Sequence, residues 1–350
     1  MAVPTIKRGE EHFFVTTYEG TGTGQRVGNF IPFTDSGTID KSCIFNGATA
    51  QARLGRTPGS NGSGTILTFS AWVKRERLGS LSTIFIANDW ATYGEALEFN
   101  TSNQINYYCI KTTGGVYDWN YITNRTFEDT SKWYHVYLRR DTTDTTAADR
   151  IQLYIDGERI TSWNTETQSA DNRTGWMNQT TYENSFGNTS NASYVRGIGY
   201  LAEVNMIDGS NPAVSTFGET DTSTGRWVPK TLTGITYGTN GFRMEFANTA
   251  GQTIGDDTSG NGNDLTVTNL AATDVFTDSP TQNHAVIGKH GFSSISEGRL
   301  KAEGSVGSQW RSGVSSLGMK SGKYYWEVKI VTHTYDQFFM FGICNESQIS

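Results

Sequence analysis

Between Thr65 and Gly209 four segments place apolar residues at every second position: TILTFSAWVKR, SKWYHVYLRRD, RIQLYIDGERI and GYLAEVNMIDG. That period belongs to a strand with one buried face. In the first segment Leu67, Phe69, Ala71 and Val73 share one face, and Thr68, Ser70, Trp72 and Lys74 take the other. No heptad, helical repeat or four-turn helical pattern interrupts the strands, so the chain is expected to be all-β.

Charged residues make up only 18% of the chain, yet aromatics reach 12%, which separates it from disordered polar sequences. The formal net charge is -7 and no run of Lys or Arg exceeds two, so no nucleic-acid surface is expected. Cys43, Cys109 and Cys344 are too widely spaced for a disulfide framework or a zinc site. They read as small buried residues of a protein assembled in a reducing cytoplasm. N-x-S/T triplets at Asn124, Asn188 and Asn191 arise by chance in so Asn-, Ser- and Thr-rich a chain. The start, MAVPTIKRGEEHFF, lacks a signal peptide's apolar core, and the longest apolar run, near FFMFGI, is far too short to span a membrane. No membrane insertion is expected.

Four segments follow from the pattern. Residues 1–42 carry scattered aromatics and a glycine-rich stretch, EGTGTGQRVGN. They read either as a first hairpin of the next domain or as an extended anchor that orders against a partner. Residues 43–209 carry the continuous strand pattern. Asn46-Gly47, Asn61-Gly62 and Asp156-Gly157 supply turns that need positive φ, and Asp156-Gly157 predicts a two-residue hairpin between QLYI and ERI. The polar stretch from Asn164 to Ser193 reads as a large excursion at the rim. Residues 210–282 read as a connector with short strands of its own. From 283 to 350 a second pattern begins, with GRLKAEG, KYYWEVKI and FFMFGI as strands and Tyr324, Trp326, Val328 and Ile330 on one face. A sandwich does not close on so few strands, so this part is expected to be truncated at Ser350, or completed elsewhere.

TFSAWVKR, WYHVYLRRD, QLYIDGERI and GYLAEVNMIDG, in that order and spacing, resemble the core strands of a laminin-G-like (concanavalin A-like) jelly roll. The resemblance implies two curved antiparallel sheets packed as a β-sandwich, with Val136 and Leu138 pointing inward and His135 structural. A second resemblance is more specific. IDGSNPAVSTFGETDTSTGRWVPK, YGTNGFRMEF and DTSGNGNDLTVTN look like the sequence that follows such domains in marine tailed-phage structural proteins. SEGRLKAEG and SGKYYWEVKI look like the opening strands of a SPRY-like (B30.2-like) domain.

The enzyme version of this fold uses two carboxylates about 5–5.5 Å apart. Glu95 and Glu98 are three residues apart, on opposite faces of a strand, and Glu203 stands alone. No nucleophile, zinc-protease or phosphate-loop motif occurs. The DDTSGNGND run is rich in oxygen donors but reads as an Asx-and-glycine turn, and no metal ligand or cofactor is assigned. Aromatic loops are the remaining candidates: Trp90 and Tyr93 in NDWATYG, Trp119 and Tyr121 in GGVYDWNYI, and Trp176 in the excursion. Such rings stack on sugar faces; the competing reading buries them in the core or a subunit interface.

The expectation is a non-enzymatic virion protein of a tailed phage, a fibre or fibre-like adhesin assembled in the bacterial host cytoplasm. Residues 1–42 would dock to a portal, tail or capsid protein, and the sandwiches would touch a host glycan or protein. Avidity favours a homo-oligomer, and a trimer is expected. The alternatives are a polysaccharide-degrading tail enzyme and an architectural head or collar protein.

Overall fold

The computed structural model describes residues 37–45, 52–88, 94–112, 116–130, 132–188, 196–222, 225–246 and 253–281. It also describes short stretches at 287–290, 294–296, 301–303, 313–315, 326, 328–330 and 341–343. The strands of the main body, in chain order, are β1 (Ser42–Phe45), β2 (Arg53–Arg56), β3 (Ile66–Arg75), β4 (Ser82–Asn88), β5 (Gly94–Phe99) and β6 (Gln104–Thr112). Then come β7 (Val116–Thr126), β8 (Tyr134–Asp141), β9 (Ile151–Ile155), β10 (Glu158–Arg159), β11 (Trp163–Thr167) and β12 (Asn184–Phe186). The last are β13 (Gly199–Asp208), β14 (Gly218–Thr220), β15 (Trp227–Pro229), β16 (Phe242–Met244), β17 (Thr266–Thr268) and β18 (Val275–Phe276). Helix among the described residues is confined to single 3-10 turns, in keeping with the all-β expectation.

Two antiparallel sheets form a concanavalin A-like jelly-roll sandwich. Sheet A has the order β10-β9-β8-β3-β13-β1-β18, with β16 also on β13; sheet B has the order β11-β7-β6-β5-β4-β12-β2-β17. The predicted inward set of β3 meets Phe85, Leu97, Phe99 and Tyr107 of sheet B in the main core, with Val136 and Leu138 beside it. Phe69 and Phe85 cross edge to face at 5.0 Å, a geometry aromatic quadrupoles favour.

The other face of β3 departs from the half-buried expectation. Every residue from Leu67 to Arg75 is buried. The reason is a further layer laid over the outside of sheet A by the segment after Asp208. Phe217 packs on Tyr137, Trp227 on His135 and Phe276 on Tyr200. Thr68 donates to the Ser210 carbonyl, and the Lys74 ammonium meets the Asp278 carboxylate at 2.6 Å with both side chains fully buried. Burial holds the lysine's pKa below its ordinary value, although Asp278 pulls it back up.

The segment 210–282 therefore does more than connect. Its strands extend both sheets: β16 pairs with β13, β18 with β1, and β17 with β2. The described chain enters and leaves the body side by side. Ile39 N–H donates to Thr281 Oγ1 at 3.1 Å, and Thr281 Oγ1 donates to the Ile39 carbonyl at 2.7 Å.

At Asp156-Gly157 both residues adopt positive φ, 53° and 79°, and close the predicted β9–β10 hairpin. Gly157 also lies against the Trp227 ring, where a Cβ would stand 2.4 Å from it. Asn61-Gly62 differs from expectation, since neither residue has positive φ; Gly62 instead makes room for the Asp208 carboxylate. Asn46-Gly47 lies outside the described residues. The predicted excursion is partly sheet, because its first residues form most of β11 and its last contribute β12 between β4 and β2. Beyond residue 282 two short antiparallel strand pairs are described, Ile287–His290 with Gly313–Ser315 and Ser294–Ser296 with Lys301–Glu303. Trp326, Val328, Ile330, Phe341 and Ile343 are exposed and carry no strand, whereas the sequence pattern predicts strands there; Tyr324 lies outside the described residues.

Candidate functional site at the open end of the sandwich

The Ile66 end of β3 pairs with Asp141, and Leu67 pairs with Arg140. Gly175 N–H bonds the Gly64 carbonyl at 2.7 Å, which brings the loop between β11 and β12 to this end. Arg140 reaches across to Glu95 of sheet B. Register brings the Asn88 end of β4, the Gly94 end of β5 and the Ile110 end of β6 together, through Asn88 with Gly94 and Gly94 with Ile110.

Glu95 plugs the gap between the sheets. Its Oε1 accepts from the Tyr107 hydroxyl at 2.6 Å and from Arg140 Nη1; its Oε2 accepts from the backbone N–H groups of Trp176 at 2.6 Å and Met177 at 3.0 Å. Four donors saturate the carboxylate. Burial works against the Arg140 charge, but Glu95 and Tyr107 together hold its pKa above the ordinary value. Burial, with Glu95 beside them, pushes the Tyr107 hydroxyl and the Cys109 thiol up. Gly175 is required here, because a Cβ would overlap the Arg140 guanidinium.

Above this plug Lys111 Nζ donates to Thr174 Oγ1 at 2.8 Å and lies 4.0 Å from the centre of the Trp176 ring. Trp176 meets Tyr182 edge to face at 4.9 Å and donates its indole N–H to the Ile110 carbonyl at 2.9 Å. Trp176, Tyr182 and Lys111 are half-buried, and Arg173 and Thr174 are exposed. Tyr117, 41% exposed, leans on Tyr108 at 5.9 Å.

The five predicted rings part company. Trp176 stands at the open end. Trp119 and Tyr121 are buried in the main core, at 0% and 2% exposure, where no sugar reaches them. The correction has a plain cause: both lie on the inward face of β7, and Tyr121 is covered by Trp163 at 5.1 Å. Trp90 and Tyr93 lie outside the described residues. Lys111, Thr174 and Arg173 were missed. The nearest signal was that Lys111 continues the alternation Tyr107, Cys109 towards the space between the sheets.

The acids are committed elsewhere. Glu98 sits on the opposite face of β5 from Glu95, as its spacing implied, and pairs with Arg196 at 3.0 Å; burial raises its pKa while Arg196 draws it down. Glu203 does not stand alone: Arg243 grips it with Nε at 2.6 Å and Nη2 at 3.1 Å. In DDTSGNGND, Asp257 accepts from the N–H groups of Arg243, Ser259 and Asn263 and from the Ser259 hydroxyl, which makes it the organiser of a turn. His135 is buried between Trp72 and Trp227. Its Nδ1 accepts from the Trp227 indole N–H at 3.0 Å, so in the neutral ring Nε2 carries the proton towards Ser70 Oγ, 2.9 Å away. Burial pushes its pKa down to about 3. Cys43 and Cys109 are buried.

Residues 46–211 match the family model described as the concanavalin A-like lectin/glucanases superfamily. No curated protein matches the chain. Among solved structures it is similar to the heptameric SAP-like pentraxin of Limulus polyphemus, at 13% identity and TM-score 0.35, covering 50% of this chain and 78% of that one. It is also similar to domain 4 of an extracellular arabinanase of Geobacillus stearothermophilus in complex with arabinotriose, at 17% identity and TM-score 0.34, covering 51% and 75%. Mouse laminin alpha1 domains LG4-5 align at 10% identity and TM-score 0.34, covering 50% of this chain and 46% of that one. The family match covers just under half of the chain and agrees with the jelly-roll fold of the two sheets.

Proposed function

We propose that the chain is a non-catalytic saccharide-binding module that takes its ligand at the open end of the sandwich. The observation that carries this is the state of Glu95. A glycosidase acid or nucleophile needs a free oxygen facing substrate and a partner carboxylate about 5–10 Å away. Glu95 has both oxygens filled, Glu98 faces the other way in an ion pair, and Glu203 is clamped by Arg243. The open end, in contrast, offers a half-exposed aromatic pair and several donors. Incubation with saccharides that bind, followed by assay for new reducing ends, tests this: binding without cleavage is expected, and turnover abolished by Glu95→Gln would overturn it.

The wider setting we propose is a tailed-phage virion, in a fibre or fibre-like adhesin built as a homotrimer. Its support is the FGETDTSTGRWVPK run and its neighbours in sequence. The clasp of Ile39 with Thr281 is compatible with display, since the described chain enters and leaves at one place on sheet A, apart from the loops at the open end. Labelling the chain on intact particles tests the setting, and particles that lack it would contradict it.

A further inference from the structure

We infer that the open end recognises an acidic saccharide, with a ring carboxylate held between Lys111 and Arg173 and the sugar against Trp176 and Tyr182. This rests on the saccharide-binding reading and adds the charge of the ligand. Several buried cations meet a carboxylate directly: Lys74 meets Asp278, Arg140 meets Glu95, Arg196 meets Glu98 and Arg243 meets Glu203. Lys111 does not. Its ammonium is held by a hydroxyl and a ring face, and among the described residues no carboxylate stands within ion-pair distance of it.

An ammonium has three donors, and Thr174 takes one. Thr174 Oγ1 accepts that bond, which leaves its own proton free to donate. Arg173, next in the chain, is 55% exposed, and its nearest acid, Asp118, stands 3.9 Å from Nε with a side chain only 8% exposed. Most of the Arg173 fork therefore faces solvent. A planar guanidinium suits a carboxylate with two parallel bonds, and a fixed ammonium adds a point charge. Desolvation disfavours the Lys111 charge, and Cys109, Glu95 and Asp118 draw its pKa only part of the way back. An incoming anion relieves that penalty, whereas a neutral sugar does not. The two cations thus favour an acidic ring on a chain whose formal net charge is -7.

The test uses the full chain and acid–neutral ligand pairs: sialyllactose with lactose, and trigalacturonate with galactotriose, titrated by calorimetry. An acid is expected to bind about tenfold or more tighter than its neutral partner, the scale of one charge-assisted hydrogen bond. Lys111→Met and Arg173→Gln should each weaken the acid at least about fivefold and the neutral sugar by less, so that the preference for the acid shrinks. Raising NaCl from about 50 to about 300 mM should weaken the acid selectively. Arg173 is exposed, so its variant stays informative if Lys111→Met unfolds. Neutral sugars bound as tightly as acids, or acid binding indifferent to both substitutions, would overturn the acidic specificity and leave saccharide binding standing. Failure of every member of both pairs to bind would overturn the specificity and count against the broader reading as well.

Discussion

The outside of sheet A and the open end of the sandwich each hold a fully buried ion pair, and they use it differently. Lys74 and Asp278 sit under a closed roof of Trp133, Tyr200 and the strap from β18 to Thr281. Trp133 Nε1 donates to the second oxygen of Asp278, so the pair is matched on all sides. At the open end Arg140 and Glu95 form the floor, and next to them, among the described residues, stand half-buried Lys111, Trp176 and Tyr182 and exposed Arg173. The lesson is that a buried charge pair can seal a face or stiffen a platform. On the sealed face the deciding feature is the further layer of chain laid over sheet A.

Removing one partner of a buried pair should give the largest effect on either side. Asp278→Ala strands the Lys74 ammonium and should cost about 3–5 kcal/mol in urea unfolding. Glu95→Ala should cost a similar amount, about 3–5 kcal/mol, and also free the Trp176 and Met177 amides to exchange. The double change Lys74→Met with Asp278→Leu should recover most of the loss, because it removes the charge as well as its partner. If Asp278→Ala unfolds at the parent's midpoint, the strap is not the seal described.

Acid should attack the sealed face. The folded pKa of His135 lies near 3, below its ordinary 6.5, so the unfolded chain binds the extra proton between those values. This group's contribution therefore falls as pH drops below 6.5, by about 1.4 kcal/mol per pH unit until pH 3. Unfolding midpoints from pH 7 to 4, compared with those of His135→Gln, isolate it: the variant should lose less stability on acidification than the parent. Gly157→Ala comes next. It forces a side chain to positive φ against Trp227 and should cost about 1–3 kcal/mol. Smallest is Arg159→Ala at the partly exposed pair with Asp149, at under about 1 kcal/mol by the same assay.

Alternation made the inward faces of β3, β8 and β9 and the Asp156-Gly157 hairpin legible. The roof over sheet A was not, because Ser70, Trp72 and Lys74 read as an ordinary solvent face. Only residues distant in the chain, such as Trp227 and Asp278, bury them. Trp119 and Tyr121 could have been read as core from their place in the β7 alternation. The open-end set could not, since Lys111 and Thr174 meet across 63 positions of chain and no short motif joins them.

The most direct test follows the tryptophan indole N–H resonances while a saccharide that binds is added, with reducing ends assayed in the same tube. The account predicts that Trp176 moves, that Trp72, Trp119, Trp133 and Trp227 stay, and that no new reducing ends appear. Movement of Trp72 and Trp227 with Trp176 unchanged, or cleavage of the sugar, would contradict it.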